Sequence, residues 1–186
     1  MKKEIEVTDR RKEVVDTCLN TFVAKGLYNT SVRDLSKAIK SSSSGIYYWF
    51  EDKDKAVVAC AEEAAHRLEN ALIIPALKET ANPDKMIEHI FTVADKMAPM
   101  MKFFVQVCAT PEYQESMKAV LDRLTIGYEK YTSQFAERIG CADAEMKPYV
   151  YMCITAMTNY MVFGERDYIV PQMELVKNKL NELLRK

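Results

Sequence analysis

The stretch Ser41–Phe50, SSSSGIYYWF, sets four small hydroxyls and a glycine directly ahead of an isoleucine and four aromatic residues. A run of serines alone would read as linker, but linkers do not lead straight into Ile-Tyr-Tyr-Trp-Phe. The residues just upstream supply the context. Thr30-Ser31 offers an N-cap, and Ser31-x-x-Asp34 has the spacing of a capping box. The pattern predicts a short helix from Val32 to about Ile39, with Leu35 and Ile39 facing inward. Lys40-Ser41 is then the turn, and Ser42 caps a second short helix reaching about Trp49.

Two short helices joined by a tight turn, braced by the helix before them, form a helix-turn-helix arrangement. Its second helix enters a major groove. The first turn of that helix must be small enough for close approach and must offer donors to phosphate oxygens or base edges. Ser42, Ser43, Ser44 and Gly45 meet both demands, and the free N–H groups at the helix start add to anion attraction. The aromatic residues divide by face. Ile46 and Phe50, four apart, pack on Leu35, Ile39 and the first helix. Tyr47 and Tyr48 fall on flanking faces where their hydroxyls reach phosphates, and Lys53 supplies a cation beside them. The serines are the reading edge of a helix, and the aromatic end is its anchor.

Outward from this stretch the chain reads as helix throughout. The first helix is expected from about Thr8, as N-cap, to Gly26, with Val15, Cys18 or Leu19, and Phe22 in its apolar stripe. Asp52 caps a long helix from Lys53 to about Thr80, kinked at Pro75. Asn82-Pro83-Asp84 precedes a helix to about Met97, and Pro99 is expected to break the chain before a short apolar segment, MMKFFVQVCA. Thr110-Pro111 starts a helix running to Gly140. Two more are expected, Ala144 to Phe163 and Pro171 to Leu184. The fold class is all-α, about nine helices. Residues 1–52 are expected to form a three-helix unit and residues 53–186 a larger helical bundle.

At 186 residues, 48% hydrophobic and 28% charged, the chain has the composition of a soluble globular protein. The net charge of −1 argues against coating nucleic acid all over, yet it is unevenly spread. Residues 1–50 hold nine Lys and Arg against six Asp and Glu, a net +3, which leaves −4 for the other 136. The charged start, MKKEIEVTDRRKEVV, lacks the apolar core of a secretion signal, and no segment is apolar enough to span a bilayer. A cytoplasmic protein without membrane partners is expected. The five cysteines (Cys18, Cys60, Cys108, Cys141, Cys153) form no CxxC pair and read as small buried hydrophobes.

From about Val15 to Val58 the sequence resembles the DNA-binding domain of the TetR (tetracycline repressor) family. The matching pieces are Phe22 with Gly26, Thr30-Ser31-Val32 followed by Leu35 and Ala38, the Ser42–Phe50 helix ending in aromatic residues, and Lys53. The resemblance implies that Ser31, Arg33, Ser42, Ser43, Ser44, Tyr47, Tyr48 and Lys53 lie near or on DNA. Two features depart from the family's pattern. Lys40 and Ser41 stand where a glycine and a hydrophobic residue are usual, so either the turn differs or both residues contact phosphate. Trp49 replaces a smaller aromatic or histidine.

The resemblance also implies that the last two helices pair with those of a second copy in a four-helix bundle. Tyr149, Cys153, Met157, Tyr160 and Met161 on one helix, and Val176, Leu180, Leu183 and Leu184 on the next, form stripes suited to that interface or to the chain's own core. Dimerisation would hold two reading helices about 34–36 Å apart, in register with adjacent major grooves of a palindromic operator. The middle helices are dense in soft and aromatic residues: Met97, Met100, Met101, Phe103, Phe104, Tyr113, Tyr128, Tyr131, Phe135 and Phe163. Apolar walls with few polar groups suit a small, largely apolar or aromatic effector as well as an ordinary core.

Glu63-x-x-His66 has the spacing used in di-iron bundles, but the second such motif is missing, since Met86 stands three residues before His89. Neither metal nor another cofactor is expected, and no residues form a catalytic Ser-His-Asp or Cys-His set. The expected function is a homodimeric, effector-responsive transcriptional repressor that binds double-stranded operator DNA and is not an enzyme. The competing reading is a helical-bundle enzyme or metal-binding protein with no DNA-binding role.

Overall fold

The structure is a computed structural model that describes residues 2–78 and 82–185, with side chains described for 9–76 and 82–185. It is all-α, with no strand among the described residues. The helices are α1 (Lys2–Lys25), α2 (Val32–Ala38), α3 (Ser43–Phe50), α4 (Lys53–Leu68), a π-helical turn (Glu69–Ile73), α5 (Ile74–Lys78), α6 (Pro83–Ala109), α7 (Pro111–Ile139), α8 (Asp143–Phe163) and α9 (Arg166–Leu183). Because α4, the π-turn and α5 follow one another without a gap, these elements make eight continuous rods among the described residues.

The prolines account for most differences from the sequence-based expectations. Pro99 does not end a helix, because α6 runs through it from Pro83 to Ala109. Pro171 lies within α9, which starts at Arg166, and Pro148 lies within α8. A helical proline removes one hydrogen bond to the carbonyl four residues back. For these three the carbonyls belong to Asp95, Asp167 and Ala144, all exposed residues, where water supplies the partner. Pro75 is different. The carbonyl it cannot bond is that of Ala71, a half-buried residue. There the chain widens into the π-turn, with Ile74 N–H bonding Glu69 O, and His89 Nε2 lies 3.4 Å from Ala71 O. A carbonyl only accepts, so the His89 proton sits on Nε2. The expected kink at Pro75 is therefore a π-turn just upstream of it. At the other end of the chain, α1 is helical from Lys2 and passes through Thr8, since nothing in KKEIEV interrupts a helix.

The chain divides into two compact units. The first comprises residues 1–66 and 102–120. Its core holds Leu19, Phe22, Leu35, Ile46 and Val57, each fully buried, with Phe22 stacked on Phe103 at 5.4 Å between ring centroids. Gly26 ends α1 with φ 88°, a left-handed conformation, and its N–H closes on Phe22 O at 2.7 Å. Two further hydrogen bonds tie this unit together: Tyr28 with Thr110 at 3.1 Å, and Tyr113 Oη to Asp54 Oδ1 at 2.9 Å. The second unit comprises residues 67–101 and 121–186. Its core includes Met146, Met161, Ile169, Met173 and Leu180.

Candidate functional site

In the first unit, α2 and α3 are set by their caps and by two buried anchors. Ser31 caps α2 through a complete capping box: its hydroxyl accepts from Asp34 N–H at 3.2 Å, and Asp34 Oδ2 accepts from Ser31 N–H at 2.9 Å. Asp34 also meets the Lys25 ammonium, which fastens the end of α1 to the start of α2. The Lys25 ammonium and the Ser31 donors hold the Asp34 carboxyl far below the usual carboxylate range. Ile46 and Phe50 are buried under α3, as their spacing predicts.

What α3 leaves outside is its reading edge. Ser42, Ser43 and Ser44 are exposed, with Ser42 Oγ and Ser44 Oγ 2.6 Å apart. Ser42 has the extended backbone of an N-cap but makes no side-chain cap bond, and no acidic residue sits in the first turn. The N–H groups at the α3 start therefore have no side chain competing for them, and no carboxylate offsets the positive end of the helix. Tyr47 is 52% exposed and Tyr48 75%, the latter edge-on to Trp49 at 5.0 Å. Arg33 is exposed on α2 and Lys53 half-buried at the first position of α4. Asp52 caps that helix by accepting from Lys55 N–H at 2.7 Å. Ser31 is exposed too, although its hydroxyl is already engaged with Asp34.

The turn between α2 and α3 answers the question its sequence poses. Lys40 takes φ 54°, the left-handed conformation that glycine adopts freely, at a cost of about 1–2 kcal/mol. The glycine this corner needs lies further on. A Cβ on Gly45 would sit 2.0 Å from Ser41 Oγ and 2.8 Å from Ser41 Cβ, so the Ser41 side chain occupies the space a larger residue would fill. Ser41 N–H bonds Ser36 O at 2.9 Å and Gly45 N–H bonds Ser42 O at 2.9 Å, which closes the corner.

The second unit encloses a cavity of about 80 Å³, counted as room for the centre of a water-sized sphere. That is several times what one water needs. Of the ten residues expected to line a pocket, Met101, Tyr128 and Phe135 do so. Phe103 and Phe104 are buried among the residues of the first unit, and Tyr113 bonds Asp54 there. Met97 and Met100 are half-buried outside the lining, and Phe163 is 72% exposed. Burial, together with the neighbouring Glu69 carboxylate, raises the pKa of Tyr131.

The rest of the wall comes from elements that sequence periodicity did not assign to a pocket. Leu68, Glu69, Leu72 and Ala76 contribute from α4 through α5, and Met86 and Ile90 from α6. Six residues expected at a dimer interface also line it: Tyr149, Cys153, Met157, Met161, Val176 and Leu180. Of the remaining three, Leu183 is buried in the core, Leu184 is exposed, and Tyr160 is half-buried with its hydroxyl donating to Asp95. The large apolar residues that α8 and α9 expose are Phe163, Tyr168, Val170 and Leu175. Glu69, buried and charged, is the wall residue that sequence reasoning missed. Its signal was helical spacing, since Glu69 stands four residues after Ala65 and three before Leu72, both buried.

The five cysteines are free, and Cys18 and Cys60 are buried. Burial pushes the Cys18 and Cys108 thiols up to about 11 and Cys153 to about 12. Among the described residues no helix is long and apolar enough to cross a membrane. None of them form a group of three or more His, Cys, Asp or Glu that could hold a metal ion.

As a sequence, the chain matches no family model and no curated protein. Its fold is nevertheless shared with solved structures. It superposes on a candidate TetR-family transcriptional regulator from Mesorhizobium loti with a TM-score of 0.67, at 11% identity over 96% of both chains. A TetR-family transcriptional regulator from Streptomyces coelicolor gives a TM-score of 0.64 at 14% identity, over 95% of this chain and 79% of that one. The TetR-family regulator PfmR from Thermus thermophilus gives 0.55 at 20% identity, over 94% and 95%. The chain has the fold of TetR-family regulators.

Proposed function

We propose that the chain is a homodimeric transcriptional repressor that binds a palindromic operator through α2 and α3 and is released by a small, largely apolar effector. The observation that carries this reading is the division of α3. Ile46 and Phe50 fix the helix from beneath, while three serines and two tyrosines stand exposed at its outer edge. Residues 1–52 would form the DNA-binding domain and the rest the effector-binding and dimerisation domain, in the cytoplasm.

In this reading the serine hydroxyls and free N–H groups at the α3 start meet phosphates and base edges. Tyr47, Tyr48, Arg33 and Lys53 meet the backbone on either side, and Ser31 positions the α2 end. The second copy would cover the outer faces of α8 and α9. Its contacts would fall on exposed Phe163, Tyr168, Leu175 and Leu184, continued by half-buried Tyr149, Cys153 and Tyr160. The cavity supplies the effector site. Its ligand would act by binding more tightly to the conformation that does not fit DNA, since only differential affinity shifts such an equilibrium.

The test is a pair of substitutions at exposed positions of the reading edge. Tyr47→Ala with Lys53→Ala should lower operator affinity at least tenfold while the far-UV circular dichroism, melting temperature and sedimentation of the dimer stay unchanged. Undiminished DNA affinity in the folded variant would remove this surface from the interface.

A further inference from the structure

The cavity wall carries one formal charge, and that charge selects the ligand. Glu69 is 9% exposed and is the only acidic or basic side chain among the lining residues. A carboxylate in such a wall is costly unless its charge is met. The charge is met only in part. The Arg123 guanidinium stands 3.8 Å from Oε2, at the outer limit of an ion pair, and half of that arginine is in solvent. Burial and the Glu69 carboxylate raise the pKa of the Tyr131 phenol, and burial together with Glu69 pushes the Tyr128 hydroxyl up to about 12, so both stay neutral. Neither phenol brings positive charge.

The backbone is shaped around this carboxylate. Glu69 is the first residue of the π-turn just upstream of Pro75, and single π-turns of this kind often accompany functional sites. On the facing helix the residue at the point of approach is Gly127, where a Cβ would come 3.1 Å from Glu69 Oε1. A glycine inside a helix costs about 1 kcal/mol relative to alanine, and here it leaves the carboxylate room.

We infer that the cavity takes an amphipathic organic cation, with an ammonium head paired to Glu69 and an apolar body against the methionine and aromatic walls. This rests on the reading of the cavity as an effector site and adds to it the sign of the ligand's charge. Tyr128, Phe135 and Tyr149 bring aromatic rings to the lining, the kind of group that attracts a cationic head, and Met86, Met101 and Met157 adapt to an irregular body. An anionic ligand would instead face Glu69 across neutral phenols.

The experiment uses three ligands of one shape: 4-phenylbutylamine, 4-phenylbutan-1-ol and 4-phenylbutyrate. Each is titrated calorimetrically into the full-length protein at pH 7. The amine should bind about tenfold or more tightly than the alcohol, as expected for a charge-assisted bond in a dry site, and the carboxylate should bind weakest. Glu69→Gln should bring the amine down to the alcohol's affinity and leave the alcohol within about twofold, because only the charge is lost. Arg123→Ala, which frees the carboxylate, should strengthen amine binding. Equal affinities for amine and alcohol would overturn the charge inference while the cavity reading stands. A preference for the carboxylate would overturn it in favour of Arg123. No binding by any of the three would overturn both.

Discussion

Gly45→Ala should destabilise the protein, although the same change inside most exposed helices stabilises. Alanine is favoured over glycine in a helix by about 1 kcal/mol, and that gain is available in α3. Against it stands Ser41. An alanine methyl would sit 2.0 Å from Ser41 Oγ and 2.8 Å from Ser41 Cβ. The hydroxyl can rotate away, but the Cβ moves only with the backbone of the corner that Lys40 already holds at φ 54°. Overpacking of this kind costs about 1–3 kcal/mol. The net effect is a loss of up to about 2 kcal/mol, or a melting temperature lower by up to about 4–8 °C for a chain this long. Ser41→Gly removes both clashing atoms, so the double variant should recover the stability lost, with a coupling of about 1 kcal/mol or more in the double-mutant cycle. Thermal and urea melts followed by circular dichroism measure all four proteins. A Gly45→Ala variant more stable than wild type by about 1 kcal/mol, with no coupling to Ser41, would refute the packing argument.

Three other outcomes follow from the same geometry. Asp34 has its folded pKa depressed by Lys25 and Ser31, so its stabilisation is full above the ordinary carboxylate pKa, near 4, and is lost as pH falls below it; Asp34→Asn should flatten the stability curve between about pH 4 and pH 2, and a curve parallel to wild type would contradict this. Ile46, fully buried beneath the reading edge, should cost about 2–5 kcal/mol when cut to alanine, and a loss below about 1 kcal/mol in a urea melt would show that α3 is anchored elsewhere. Burial lifts the Cys18 thiol to about 11, so at pH 8 the native protein should alkylate there on the order of a hundredfold more slowly than the unfolded chain; mass spectrometry showing equal rates would refute the burial.

The reading edge was legible because its signals are local. The Ser31–Asp34 box, the Asp52 cap and the Ile46–Phe50 spacing each act within a turn or two, and the structure shows all three. The proline-bearing helices were harder to bound. Whether Pro99 or Pro171 ends a helix depends on whether the orphaned carbonyl is wet, as at Asp95 and Asp167, and local sequence does not report that. Pro75 orphans a half-buried carbonyl instead, and its remedy comes from His89, a residue beyond the next turn of chain. Periodicity likewise marked Met157, Met161, Val176 and Leu180 as an apolar stripe. An apolar stripe shows that something covers it, and within the single chain these four residues face the cavity. Glu69 stayed hidden for a different reason: it lies on the buried face set by Ala65 and Leu72, but a charged residue on a helix reads as solvent-facing unless its neighbours across the core are known.

Sequence-specific DNA binding is the central claim, and one titration tests it most directly. The purified protein is bound to the DNA flanking its own gene across a salt series, with random DNA as competitor. The account predicts a complex that persists against excess random DNA, with log affinity falling linearly as log salt rises through displaced counterions. Equal competition by random DNA at every salt concentration would contradict it.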